Sequence, residues 1–173
     1  MEALSIPQIA ELLGAGATEI AVEMHALPPE LVGWHPAPGE WCVKECVGHL
    51  IEAERRGFAG RIRFMLEHGD GEALTSWDQV AVAQARNDCD AGTPGLVREL
   101  AEERSRSVEL VKSLQPPDLA IGGEHPEVGH VTIGEVLHEW VHHDRNHLRQ
   151  ILATVQAYAW PAMGNIQRFS LPR

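Results

Sequence analysis

A chain of 173 residues is long enough to bury an apolar core without disulfide support, and one domain spanning residues 1–173 is expected. Its 14 Lys and Arg against 25 Asp and Glu leave a formal charge of -11, which repels nucleic-acid phosphate and anionic lipid; neither is expected as a partner. The opening MEALSIPQIAELL has no basic export signal, no apolar run reaches the ~18 residues of a bilayer span, and Cys42, Cys46 and Cys89 read as thiols, so a cytoplasmic location is expected.

The first predicted helix runs from Ile6 to about Leu27, with Ile6, Ile9, Leu12, Leu13, Ile20 and Met24 at helical intervals and Pro7 tolerated in its first turn. Pro28 and Pro29 end it. A Pro- and Gly-rich connection leads to Glu40, where a second, long helical pattern opens and continues to about His68. Residues 69 to 93 form a long crossover with a short helix expected around Trp77 to Asn87. Thr93 and Pro94 resemble an N-cap and first-turn proline for a third helix ending near Leu114. Gly122 to Gly129 reads as a loop, and strand-like alternation is absent. Thr132, with Glu135 three residues on, forms a capping-box signature for a fourth helix reaching about Tyr158. The pattern predicts an all-α fold, a four-helix bundle with a long crossover between helices two and three.

Histidines concentrate in the fourth helix, where HEWVHHDRNH places His138, His142, His143 and His147 in two overlapping i, i+4 pairs. With about 100° per residue and His138 at zero, the apolar residues of this helix centre near ~245°. His138 and His142 then fall at about 0° and 40°, facing solvent, whereas His143 and His147 fall at about 140° and 180°, on the margin of the core. The H-E-x-x-H spacing of the first pair, which in zincins supplies two ligands and a base, is therefore a decoy. A third ligand must come from another helix. His49 in WCVKECVGHLIEAERR is the best placed, although Cys46 and Glu52 share its face and offer alternative donors.

Two segments, W-x-x-K-E-x-x-G-H-L (Trp41 to Leu50) and H-D-x-x-H-L-R-Q-I (His143 to Ile151), resemble the DinB/YfiT-like superfamily of metalloenzymes, as does the run Val128 to Trp140. This superfamily is unrelated to the DNA polymerase that shares the DinB name. The resemblance implies a DinB/YfiT-like four-helix bundle in which His49, His143 and His147 bind zinc or nickel, and implies a homodimer. Some members resemble S-transferases or isomerases that use mycothiol, bacillithiol or glutathione.

A dipositive ion held by three neutral imidazoles acidifies a bound water or thiol, which leads to hydrolysis or to thiol transfer. The resemblance implies, as the expected function, a metal-dependent thiol S-transferase using a low-molecular-weight thiol as co-substrate, or a related hydrolase, acting on a small molecule. The alternative is a non-catalytic, stress-related metal- or ligand-binding bundle. Glu139 and Gln150 share a row with the histidine pair, Glu139 to orient a ligand or act as base and Gln150 to meet substrate. Asp144 points into the apolar arc at about 240° and should have a hydrogen-bonding or cationic partner. Cys42 and Cys46 read as buried core thiols.

Overall fold

Each helix starts where the local chemistry allows it. The computed structural model describes residues 2–170; Met1 and residues 171–173 lie outside it, so the expected single-domain span is described except at its ends. In chain order the elements are α1 (Ile6–Ala26), a single turn α2 (Pro29–Val32), α3 (Val43–Glu52), α4 (Ala59–His68), β1 (Glu72–Ala73), α5 (Gln79–Arg86), α6 (Thr93–Ser113), β2 (Gly122–His125), β3 (Gly129–Thr132) and α7 (Ile133–Ala159). Ser5 precedes α1 and donates its backbone N–H to Gln8 Oε1 at 2.9 Å. At α7 the expected box is present: Glu135 N donates to Thr132 Oγ1 at 3.2 Å and Thr132 N donates to Glu135 Oε2 at 2.8 Å. Asp78 caps α5 by accepting from Val80 N and Ala81 N, and Asn87 ends it in the left-handed region at φ 50°.

Four features differ from expectation. The second long helix begins at Val43 with Cys42 as its cap, not at Glu40, and a π-helical turn, Ala53–Phe58, separates α3 from α4. Gly60 is required there, because a Cβ would stand 2.1 Å from the Arg55 carbonyl oxygen. The N-cap of α6 is Gly92, which leaves Thr93 inside the first turn beside Pro94. Residues expected as loop between Gly122 and Gly129 belong largely to a hairpin: β2 pairs antiparallel with β3 and parallel with β1. These strands are too short and glycine-rich to show alternation, and Gly123 admits Leu74 only because a Cβ would meet it at 2.8 Å.

The bundle places α1 along α6 and α7, with α3 closing the other side against the same two helices. Its apolar interior is divided. One cluster holds Ile9, Leu13, Phe58, Ile62, Met65, Val111, Leu137 and Trp140, and the other holds Ile20, Met24, Val47, Leu50, Leu96, Leu100 and Ile151. Between them lies a buried polar layer contributed by every long helix. Arg104 of α6 donates to Asp144 Oδ2 at 2.5 Å, to the Leu13 carbonyl at 2.5 Å and to Glu54 at its Nε. Gly16 of α1 faces this layer, where a Cβ would stand in ordinary contact with Asp144 Oδ2 at 3.5 Å. Asp144 thus has the cationic partner its position on the wheel demanded. Leaving it unpaired at 2 % exposure would cost several kcal/mol, on the order of the penalty for a broken buried ion pair.

Candidate metal centre

Three imidazoles meet at the edge of the polar layer. His49 comes from the last turn of α3, and His143 and His147 come from successive turns of α7. His143 Nε2 lies 3.1 Å from His49 Nε2 and 3.2 Å from His147 Nε2. Three nitrogens each about 2.1 Å from one ion stand roughly 3.0 Å apart in octahedral geometry and roughly 3.4 Å apart in tetrahedral geometry, so the spacing fits a single divalent ion. Two of the three side chains, His49 and His147, are buried.

The other face of each ring shows how the cluster is oriented. His147 Nδ1 is 2.9 Å from Gln150 Oε1, an acceptor only, so Nδ1 carries the proton and Nε2 presents its lone pair to the cluster. His143 Nδ1 and Asp144 Oδ1 are a buried donor and acceptor without hydrogen-bond partners, 4.0 Å apart. A small rotation of His143 toward a bound ion would leave this N–H facing that carboxylate, the arrangement in which ligating histidines are usually held. Through Asp144, the cluster is tied to Arg104 and Glu54.

Burial keeps two of the rings neutral. Burial, reinforced by the His147 and His143 rings, pushes the His49 imidazole down to about 3. Burial likewise pushes His147 down to about 4, with His143 adding to the effect. Both are therefore lone-pair donors at neutral pH, as a metal ligand must be. Glu54 is shifted the other way: burial raises its carboxyl, and Arg104 offsets part of that rise.

Aromatic side chains wall the cluster. Trp41 lies 4.9 Å from the His49 ring, Trp77 lies 5.8 Å from it, and Phe58 lies 5.0 Å from His143. A cavity of about 450 Å³ opens on one side, lined by His49 and His143 together with Trp77, Arg61, His125 and Glu139. Glu139 stands one turn before His143 on α7, exposed in this cavity and free to meet a bound molecule. Gln150 does not line it; its oxygen is engaged by His147 Nδ1, so of the two roles expected for it, supporting a ligand or meeting substrate, its contact is with the ligand ring. Arg61 enters the cavity with its Nε unpartnered and donates through Nη2 to His125 Nε2 at 2.9 Å.

The alternative donors turn away. Glu52 receives Arg56 at 2.6 Å and Arg86 at 3.0 Å, and Cys46 Sγ lies 3.5 Å from His147 Nδ1, on the side opposite the cluster. His142 is exposed as expected. His138 is not: it is half-buried against the N-terminal segment, accepting from Leu4 N at 3.1 Å and contacting the Gly134 carbonyl at 2.7 Å. The helical wheel treated α7 as isolated and could not register the chain preceding α1.

Sequence reasoning did not find Arg61, Trp77, His125, Arg104 or Glu54. Arg104 had a visible signal, because it falls four residues after Leu100 in the apolar row Leu96, Leu100, Val111.

Comparison with known proteins places these observations in a family. Residues 16–151 match the DinB superfamily. The fold is similar to that of YfiT from Bacillus subtilis, a probable metal-dependent hydrolase with an unusual four-helix bundle topology. That match has a TM-score of 0.81 and 20% identity, covering 92% of this chain and 93% of the other. It is also similar to a mutant of a mycothiol-dependent maleylpyruvate isomerase, with a TM-score of 0.67 and 10% identity over 87% of this chain, which spans 63% of that protein. No curated protein matches the sequence. Among the described residues, no helix is long and apolar enough to cross a membrane.

Proposed function

This chain belongs to the DinB superfamily, and we propose that it is a metal-dependent hydrolase of a small, anionic substrate bound in the cavity beside His49, His143 and His147. The observation that carries this reading is the opening of a three-imidazole cluster onto a cavity of about 450 Å³ that also holds a free carboxylate and a guanidinium. A divalent ion, zinc or nickel by its preference for imidazole, supplies positive charge that favours the anionic form of a water or thiol. In this reading Glu139, which lines the cavity, takes a proton from the attacking group and returns it to the leaving group. Arg61, with no carboxylate in ion-pair contact among the described residues, holds the substrate's own negative group. Trp77 and Phe58 exclude water from one side. The likeness to YfiT supports hydrolysis.

Thiol transfer is the second reading, supported by the likeness to a mycothiol-dependent isomerase. In that case a low-molecular-weight thiol occupies the cavity and Glu139 is dispensable, because thiol ionisation needs no protein base beside a dipositive ion.

Metal-loaded and metal-free protein, compared on a panel of small carboxylate-bearing esters and amides and on a panel of thiols with an added electrophile, separates the two. Hydrolysis is expected only in the loaded form, with His143→Ala inactive and Glu139→Gln reduced by about 100-fold or more. Metal-dependent thiol consumption unaffected by Glu139→Gln would establish the second reading instead. Equal rates with and without metal in both panels would leave a non-catalytic metal-binding bundle. We further expect a homodimer, which sedimentation of the purified protein reads directly.

A further inference from the structure

A second cluster of metal-ligating side chains lies one helical turn from the first. His35 comes from the connection after α2, Cys42 and Glu45 from the start of α3, and Cys89 from the 3₁₀ turn Asp88–Asp90 that ends the crossover. One ligating atom of each lies within 4.8 Å of the other three. His35 Nε2 is 2.9 Å from Glu45 Oε2 and 3.7 Å from Cys89 Sγ, and Cys89 Sγ is 2.7 Å from the unbonded Cys42 Sγ.

We propose that His35, Cys42, Glu45 and Cys89 form a second, structural site for a zinc-class ion, distinct from the three-histidine centre. Two sulfurs, one imidazole and one carboxylate are a four-donor set of the borderline-soft kind that closes a tetrahedral zinc site without leaving a position for substrate. Calcium and magnesium would want oxygen throughout. A disulfide between Cys42 and Cys89 would account for the sulfurs alone; Glu45 Oε2 accepts from Cys42 N at 2.8 Å as the cap partner of α3 and meets His35 Nε2, and an ion would use that carboxylate and imidazole together with the two sulfurs as one donor set. Two thiolates about 2.3 Å from one tetrahedral ion stand roughly 3.7 Å apart, so Cys89, carried on a short turn, would move outward by about 1 Å while Cys42 stays as the helix cap.

Access fits the assignment. The Cys42 side chain is fully buried, while His35 and Glu45 are 45% and 25% exposed, so an ion enters from solvent past the imidazole and carboxylate and ends against the sulfurs. Lys44 Nζ donates to the Cys89 carbonyl at 2.9 Å and anchors that turn to α3. The consequence is positional. An ion here would pin three separate segments together immediately beside Trp41, the residue whose ring covers His49.

The test is a cobalt(II) titration of the full, reduced, metal-free protein, followed by optical absorption. Two equivalents are expected, one of them producing an intense near-ultraviolet thiolate-to-cobalt band. His143→Ala with His147→Ala should lose one equivalent and keep the band. Cys89→Ser, at a half-exposed position less disruptive than Cys42, should lose the band and keep the other equivalent. His35→Ala should weaken the band-forming equivalent by about tenfold or more. Circular dichroism and a thermal melt of each variant establish that the fold is retained. A single equivalent with no thiolate band, a band that survives Cys89→Ser, or a reduced protein that binds no cobalt and forms only a Cys42–Cys89 disulfide in air would each overturn the proposal. Failure of the histidine equivalent alone would bear only on the proposed function.

Discussion

Replacing Arg104 by Met removes the guanidinium that, among the described residues, pairs with both Glu54 and Asp144, two carboxylates whose side chains are 1% and 3% exposed. Breaking a buried ion pair from one side costs about 3–5 kcal/mol because the remaining charge keeps its desolvation penalty, and here two carboxylates are left. In a chain of this size the same loss lowers the melting temperature by roughly 6–20 °C. A second signature distinguishes this cause from lost packing. Burial already raises the Glu54 carboxyl while Arg104 holds it down, so without Arg104 it rises further. A carboxyl with a higher pKa folded than unfolded takes its proton preferentially in the fold, so the variant should recover relative to wild type as pH falls and lose ground as pH rises. Urea denaturation of both proteins from about pH 8 to about pH 5 measures the gap, which should narrow with acidification. Adding Glu54→Gln to the variant should recover part of the loss at neutral pH. A gap that is absent, or constant across that range, would refute the reasoning and reduce Arg104 to a space-filling side chain.

Metal-free protein should itself lose about 4 kcal/mol between about pH 7 and about pH 5, because His49 and His147, pushed to about 3 and about 4, stay neutral in the fold while the unfolded chain takes up their protons. Denaturant titration at each pH checks this, and His49→Phe should show about half the slope. His138→Ala and His142→Ala should leave metal content unchanged by elemental analysis, since neither ring reaches the cluster. Gly48→Ala would place a Cβ 1.7 Å from Asp88 Oδ2, forcing apart the Arg86–Asp88 pair and α3 at a cost of about 1–3 kcal/mol, read by thermal melt.

The histidine pair at His143 and His147 was legible because both residues share one straight helix with an unambiguous apolar arc, and there periodicity translates directly into direction in space. The cap at Thr132 and the break at Pro28 were local events and equally legible. Along α3 the wheel blurred for a physical reason, since the π turn at Ala53–Phe58 inserts an extra residue and rotates everything after it relative to His49. That rotation stacks Phe58 on Trp140 at 5.0 Å and opens the cavity. The hairpin of β2 and β3 was invisible because its eight residues carry three glycines and little apolar signal, and β2 also pairs with β1 across the crossover. Asp144's need for a partner followed from its position on the wheel. The identity of that partner did not, because Arg104 lies forty residues away and reaches it only once α6 and α7 are packed on α1. Residues 35, 42, 45 and 89 likewise share no period. Their convergence depends on where a crossover turn lands against the start of α3, a contact set by tertiary packing rather than by spacing along the chain.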